Sequence, residues 1–370
     1  MKSKKIFIRV DASYEISTGH VMRCLTLANL FTKAGIESMF ICRDLPGNLN
    51  HLIVDRGYKL CVLPCPVTKQ QSKQFQNPYE AWLEVDWEID LLQTVNIIKT
   101  DPSSSCLIID HYSIDSKWEN LFHRLTGKKI IVIDDLANRS HFCQIILDQN
   151  ISNNNSRYDD LVPKSCVKFL GLPYVILRKE FMNEKINLRK RNGSIRRILV
   201  FFGGSDPTNE TFKTIQVLKN PMYSEIHIDI VVGDSNKNKE TIRYLCNEAP
   251  NFYYHCQINN MAELMVLADL SIGAGGTSTW ERCYLGLPTL TIVTADNQIE
   301  ITDLVNDQGA ICHLGESSKV TSEKIAQELN LFIQNPLKVT KMSQKALDLM
   351  DENMLDSFIE RVVDSINDTN

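Results

Sequence analysis

Along its whole length the chain sets short apolar runs rich in β-branched residues between segments whose apolar residues recur at helical spacing. That alternation is the pattern of parallel strands joined by crossover helices, since parallel neighbours cannot be linked by a tight hairpin. In the first half the runs fall at 5–11, 38–42, 59–63, 106–110, 129–134 and 144–148, with helices expected near 20–34, 88–100 and 115–126. The first helix carries Val21, Cys24, Leu25, Ala28 and Phe31 on one face and closes on Lys33 and Gly35. The second half repeats the logic at 197–202, 226–232, 252–255, 270–273, 289–293 and 310–313. The expected fold class is α/β, two doubly wound parallel-sheet, Rossmann-like domains whose strand C-termini face a shared cleft and carry the ligand chemistry.

Composition narrows the function classes. With 43% hydrophobic and 23% charged residues in 370, the chain can bury substantial cores. A formal net charge of −5 offers no basic excess, so nucleic acid is not an expected partner. The apolar run after Met1-Lys2-Ser3-Lys4-Lys5 is broken at Arg9 and Asp11, too short for a signal segment. No stretch approaches the roughly 18 apolar residues of a membrane span, and a cytoplasmic location is expected. Eleven cysteines, an odd number, read as buried thiols in a reducing compartment. Cys61 and Cys65 form the one close pair, and no His set or second pair completes a zinc site, so neither metal nor cofactor is expected. Oligomeric state leaves no signature.

Between the halves, Lys185, Arg189, Lys190, Arg191, Arg196 and Arg197 stand against Glu184 alone, a polar stretch read as a solvated linker. Residues 64–87 form the least patterned part of the first half, a candidate flap carrying Trp82 and Trp87. At the end, Leu355, Phe358, Ile359, Val362, Val363 and Ile366 keep an apolar stripe at helical spacing, expected to pack on a core.

The chemistry sits at strand ends. The first strand runs through Asp11 into Ser17-Thr18-Gly19-His20, and a helix follows with Arg23 one turn on. Such a turn leaves free N–H groups and the positive helix end toward an anion. A histidine there is disfavoured as imidazolium, and a neutral imidazole can act as a general base, although the spacing alone equally suits an ordinary helix-terminal residue. Gly-x-Gly-x-x-Gly is absent, so NAD or FAD is not expected. Phe201-Phe202-Gly203-Gly204-Ser205-Asp206-Pro207 is a second strand-to-helix turn, suited to a phosphate or simply to a tight reversal. Gly273-Ala274-Gly275-Gly276-Thr277-Ser278-Thr279-Trp280-Glu281 is a better diphosphate cradle, with Glu281 one turn on where a carboxylate can take ribose hydroxyls. Asn297 and Gln298 offer amides that can read hydroxyl or acetamido groups, and Asp296-Asn297 also suits a turn. Tyr112, after Asp110-His111, pairs a phenol with an apolar face, useful for holding a sugar, and buried-edge packing suits it equally well. His111 and the Asp134-Asp135 pair lack a third ligand at metal spacing.

Taken together, Asp11-Ala12-Ser13 through Gly19-His20-Val21-Met22-Arg23, the Gly203–Pro207 turn, the Gly273–Glu281 segment and Asn297-Gln298 resemble the UDP-2,4-diacetamido-2,4,6-trideoxy-β-L-altropyranose hydrolases of pseudaminic acid biosynthesis. The similarity extends through Arg43-Asp44-Leu45-Pro46-Gly47-Asn48, Asp110-His111-Tyr112, Asp134-Asp135-Leu136-Ala137, Asp148-Gln149-Asn150 and 280–288, nearly the whole chain. The resemblance implies a GT-B fold: a sugar-side catalytic domain at 1–182, a linker at 183–197, a UDP-binding domain at 198–350 and a C-terminal helix at 351–370. It implies inverting, metal-independent hydrolysis of a UDP-sugar, with His20 deprotonating water and Tyr112 and Asn297 near the sugar. Asp11, Gly19, Arg23, Gly203, Gly204 and Gln298 would line the substrate, Gly276, Thr277 and Ser278 the diphosphate, and Glu281 the ribose. A glycosyltransferase on the same fold and a non-catalytic nucleotide-sugar binder are the alternatives. One departure stands out: the family reads Ile-Gly-x-Gly-His where this chain has Ile16-Ser17-Thr18-Gly19-His20. If position 17 needs a positive φ, serine costs about 1 kcal/mol there.

Overall fold

The computed structural model describes residues 4–65, 79–101, 103–350 and 353–367, so most of the expected flap lies outside the described residues. The chain divides into two units: unit 1 runs to Ile176 and resumes at Asn353, and unit 2 is Leu177–Glu352.

Unit 1 begins with β1 (Lys4–Val10), α1 (Gly19–Lys33), β2 (Ile36–Arg43), α2 (Asn50–Asp55) and β3 (Lys59–Leu63). It continues with α3 (Trp87–Lys99), β4 (Ser104–Asp110), α4 (Ser116–Thr126), β5 (Lys129–Ile133), β6 (Ile145–Asp148) and β7 (Val167–Leu170). Among the described residues these strands form a parallel sheet in the order β3-β2-β1-β4-β5-β6-β7. Alternation along β1 divides its side chains between two cores. Ile6, Ile8 and Val10 join the face covered by Leu25, Ala28 and Phe31 of α1, and Phe7 joins Leu91, Val95, Trp118 and Phe122 of α3 and α4 on the other. Runs buried on both faces need no polar alternation, which is why these strands read as unbroken apolar runs. β7 had no such run, because only Phe169 among its four residues is buried.

Arg9 and Asp11, the residues that interrupt the first apolar run, are both fully buried. Arg9 donates to Asp11 (2.6 and 2.8 Å) and to Asp90 of α3 (2.6 Å), and Arg43 also donates to Asp90 (2.7 Å). Burial alone would raise the carboxyls of Asp11 and Asp90, but the guanidinium of Arg9 outweighs it and holds both below the ordinary range.

Unit 2 comprises α5 (Lys179–Glu184), β8 (Arg197–Phe201), α6 (Glu210–Leu218), β9 (His227–Val232), α7 (Lys239–Asn247), β10 (Phe252–Cys256) and α8 (Met261–Leu267). Then follow β11 (Leu270–Ala274), α9 (Ser278–Tyr284), β12 (Thr289–Val293), α10 (Ile299–Asp307), β13 (Cys312–Glu316), α11 (Ser322–Gln334) and α12 (Pro336–Leu349). Its parallel sheet runs β10-β9-β8-β11-β12-β13. The basic stretch expected as a solvated linker lies inside this unit. Arg191 is 4% exposed and donates to the carbonyls of Met265, Ala268, Leu285 and Gly286, which fastens the stretch to α8 and α9.

The final helix, α13 (Leu355–Asn367), belongs to unit 1. Leu355, Phe358, Ile359, Val362 and Ile366 enter the core under α1, with Phe358 edge-on to Phe169 of β7 at 5.4 Å between centroids. At about 1.5–3 kcal/mol for each large side chain buried, this stripe is a principal contributor to unit 1. Of the cysteines, Cys24, Cys42, Cys106, Cys143, Cys166, Cys246 and Cys283 are buried, Cys61, Cys256 and Cys312 half-buried, and Cys65 exposed. No described helix is long and apolar enough to cross a membrane.

Candidate active site

In unit 1 the strand order reverses between β1 and β4, so the chain leaves their carboxyl ends in opposite directions and opens a crevice there. After β1, Ser13 Oγ accepts from the amides of Glu15 (3.1 Å) and Ile16 (3.0 Å), and Ser17 N donates to the Ser13 carbonyl (2.9 Å). Ser17 has φ 68°, the left-handed region that favours glycine, so the strain anticipated for this serine is present. Gly19 then opens α1, and His20 stands second in the helix at 8% exposure.

His20 is fixed by the end of β4. Its Nδ1 lies 2.6 Å from Asp110 Oδ1, and two lone pairs at that distance would repel, so Nδ1 carries a proton. Arg23, one turn along α1, donates Nε to Asp110 Oδ2 and Nη2 to Oδ1, both at 2.6 Å, and Nη1 to Asp135 Oδ2 at 2.6 Å. Asp110 is fully buried; burial would raise its carboxyl, but Arg23 and then His20 hold it well below the usual range. Tyr112 donates to the same Asp135 oxygen at 2.8 Å. Burial, followed by Asp135, pushes its phenol well above the ordinary value, so the proton stays on oxygen at neutral pH.

Aromatic rings enclose the imidazole. Tyr112 stands edge-on to His20 at 4.6 Å, Trp82 edge-on at 6.0 Å, and Trp82 stacks on Tyr112 at 5.3 Å. Of the expected substrate residues here, Arg23 is committed to carboxylates, and Asp11 is turned inward to Arg9 and to the Arg43 amide (2.7 Å). His111 Nε2 lies 3.2 Å from Asp11 Oδ2 and apart from Asp134, which instead pairs with Arg139 at 2.7 Å. Among the described residues, no three His, Cys, Asp or Glu side chains are grouped to hold a metal ion.

Unit 2 reverses its strand order between β8 and β11, and the glycine turns leave those two strands. Gly203 has φ +90°, and Gly204 packs against Gly233, where a Cβ would sit 2.4 Å from the Gly204 carbonyl. Asp206 caps α6, accepting from the amides of Glu210 (3.0 Å) and Thr211 (2.8 Å). After β11, a Cβ on Gly275 would fall 2.2 Å from Thr302 Oγ1 of α10, so only glycine fits. Gln298 lies over this turn: a Cβ on Gly276 would be 3.7 Å from its Nε2, while its Oε1 accepts from the Thr294 amide at 3.0 Å. Thr277 is exposed, and Ser278 and Asn297 are half-buried. Glu281 accepts from Arg178 Nε at 2.9 Å, which orients its carboxylate.

The geometry therefore brings Gly19, His20, Arg23 and Tyr112 together in unit 1 and Gly203, Gly204, Gly276, Thr277, Ser278, Glu281 and Gln298 to the carboxyl ends of the strands of unit 2. Sequence reasoning missed Asp110 and Asp135 as the carboxylates that orient His20 and Tyr112, Trp82 as a wall and Arg178 as the partner of Glu281. The strand-end positions of the two aspartates were a signal, but their partners lie 90 and 23 residues away.

The family model for the glycosyltransferase family 28 C-terminal domain matches residues 197–361. The spore coat polysaccharide biosynthesis protein SpsG of Bacillus subtilis is 30% identical over 342 residues, covering 90% of each chain. The UDP-2,4-diacetamido-2,4,6-trideoxy-β-L-altropyranose hydrolase of Campylobacter jejuni is 29% identical over 70% of this chain and 81% of its own. An uncharacterized protein of Methanocaldococcus jannaschii is 27% identical over 81% of this chain, which spans only 57% of that relative. Among solved structures, MurG of Acinetobacter baumannii superposes with TM-score 0.60 at 16% identity, covering 98% of this chain and 99% of its own. Arabidopsis thaliana UGT89C1 complexed with UDP-L-rhamnose gives 0.66 at 14%, covering 99% and 100%. The two parallel-sheet α/β domains are those of the GT-B fold.

Proposed function

Because the chain belongs to the family of the spore coat polysaccharide biosynthesis protein SpsG, we propose that it acts on a nucleotide sugar, hydrolysing UDP-2,4-diacetamido-2,4,6-trideoxy-β-L-altropyranose to UDP and the free sugar. The observation that carries the reading is the His20–Asp110 contact at 2.6 Å, which in the neutral ring leaves Nε2 as the proton acceptor. In the proposed step, a water oxygen bonds to the anomeric carbon as the bond from that carbon to the phosphate oxygen breaks. The water proton passes to His20 Nε2, the bonding pair leaves with UDP, and the anomeric configuration inverts. UDP is already a good leaving group, so donors at the glycine turn meet its developing charge and no cofactor is invoked. The base contributes on the order of 10²–10⁴-fold.

The half-buried ring of Trp82, stacked on the buried Tyr112 and edge-on to His20, supports a sugar carrying methyl and acetamido groups, which an apolar wall can meet. Glu281, Ser278 and Asn297 are assigned to the ribose, diphosphate and sugar, respectively. A second reading, transfer of the sugar to a hydroxyl acceptor, is favoured by the family 28 glycosyltransferase match. Incubation with the UDP-sugar alone, with EDTA present, separates the two: steady release of UDP and sugar supports hydrolysis, and release only when an acceptor is added supports transfer. His20→Ala should abolish turnover and leave UDP affinity within about twofold; equal loss of both would remove the base from the mechanism.

A further inference from the structure

Beneath the glycine turn of unit 2 lies a cation whose hydrogen-bond partners are all neutral. Arg282 of α9 is 1% exposed. It donates Nη2 to the Ala274 carbonyl (2.6 Å) and to Thr279 Oγ1 (3.0 Å), and Nη1 to Ser278 Oγ (3.1 Å), while its Nε is buried with no partner. The buried arginines of unit 1 differ: Arg9 and Arg23 are each held by two carboxylates. Arg191 also lacks a carboxylate, but four backbone carbonyls surround it as a clamp. Burial pushes the Arg282 guanidinium down to about 10, outweighing the neighbouring Glu281, whose charge raises it without a direct bond.

Its position ties that charge to the turn. A Cβ on Gly273 would come within 3.0 Å of Nη1, so the guanidinium lies directly against the chain entering the turn. Arginine has donors only, so Ser278 and Thr279 must accept from it, and their own hydroxyl hydrogens are left to donate elsewhere. A buried cation with no carboxylate bonded to it is costly until an anion arrives, and the half-buried Ser278 hydroxyl, whose hydrogen is left to donate, provides a means of meeting one.

Resting on the reading that this turn receives UDP, we propose that Arg282 is the built-in counter-ion of the diphosphate, a positioning residue that acts through Ser278 and through its charge. Unit 2 would thereby distinguish a nucleoside diphosphate from a neutral nucleoside.

The test measures UDP and uridine binding by calorimetry to the full chain as wild type, Arg282→Met, Arg282→Gln and Arg282→Lys. The two neutral variants should weaken UDP by about tenfold or more and change uridine by no more than about twofold, and lysine should recover most of the preference. Glutamine keeps a donor for the Ala274 carbonyl, so it carries the test if methionine prevents folding. A wild-type protein that fails to bind UDP overturns the underlying reading and the inference with it. Wild-type binding of UDP with undiminished affinity in the neutral variants, or an equal loss for uridine, overturns the inference alone.

Discussion

Replacing Asp110 with asparagine should separate the base from the rest of the fold. The carboxylate accepts three charge-assisted bonds at 2.6 Å, one from His20 and two from Arg23. An amide of the same shape has only one acceptor oxygen. Set with its oxygen at the Oδ1 position, it keeps the bonds from His20 and Arg23 Nη2 but turns its NH₂ against Arg23 Nε, and the imidazolium formed on taking the water proton loses its counter-charge. Turned the other way, it sets donor against donor at Arg23 Nη2 and favours the His20 tautomer with the proton on Nε2, which cannot take a proton from water. Breaking a buried ion pair costs about 3–5 kcal/mol when the partner is left alone. Here Asp135 remains 2.6 Å from Arg23, so a loss nearer about 2 kcal/mol is expected. Turnover should fall by about 10²–10⁴-fold, the full contribution of a general base. UDP release under steady state measures the first effect, urea unfolding the second, and calorimetry with UDP should find affinity unchanged because Asp110 belongs to unit 1. Turnover within threefold of wild type in a folded Asp110→Asn protein would refute the reasoning.

Three further outcomes are expected. Ser17→Gly relieves the strain at φ 68° but adds freedom to the unfolded chain, so urea melts should gain about 0.5 kcal/mol, and a loss would mean the serine side chain is needed. Gly275→Ala drives a Cβ to 2.2 Å from Thr302 Oγ1, which should displace the turn and weaken UDP by about tenfold, measured by calorimetry. Burial lowers His141, but Glu119 and Asp134 outweigh it and raise the imidazole to about 9. A folded value above the unfolded one gives stability that is fully present below about pH 6.5 and lost as pH climbs through about 9, up to about 3 kcal/mol. The stability advantage of wild type over His141→Gln should therefore narrow across that window in urea melts at stepped pH.

Local rules made the parallel α/β class, all but one of the strands, and the glycine turns legible from the sequence, because burial on both faces of a strand and positive φ at a turn are conditions each short segment meets by itself. The strain at Ser17 was anticipated only through the family resemblance, which places glycine at that position. Tertiary structure alone decided that Asp110 would hold His20, that Asp11 would serve Arg9, and that Arg191 would anchor the basic stretch to unit 2. It also sent α13 back to the core of unit 1. Each of these depends on which strands become neighbours. Parallel pairing joins segments tens of residues apart, and nothing in the periodicity of a single run records its partner. An arginine looks the same in a solvated stretch and in a buried ion pair until the acceptors around it are in place.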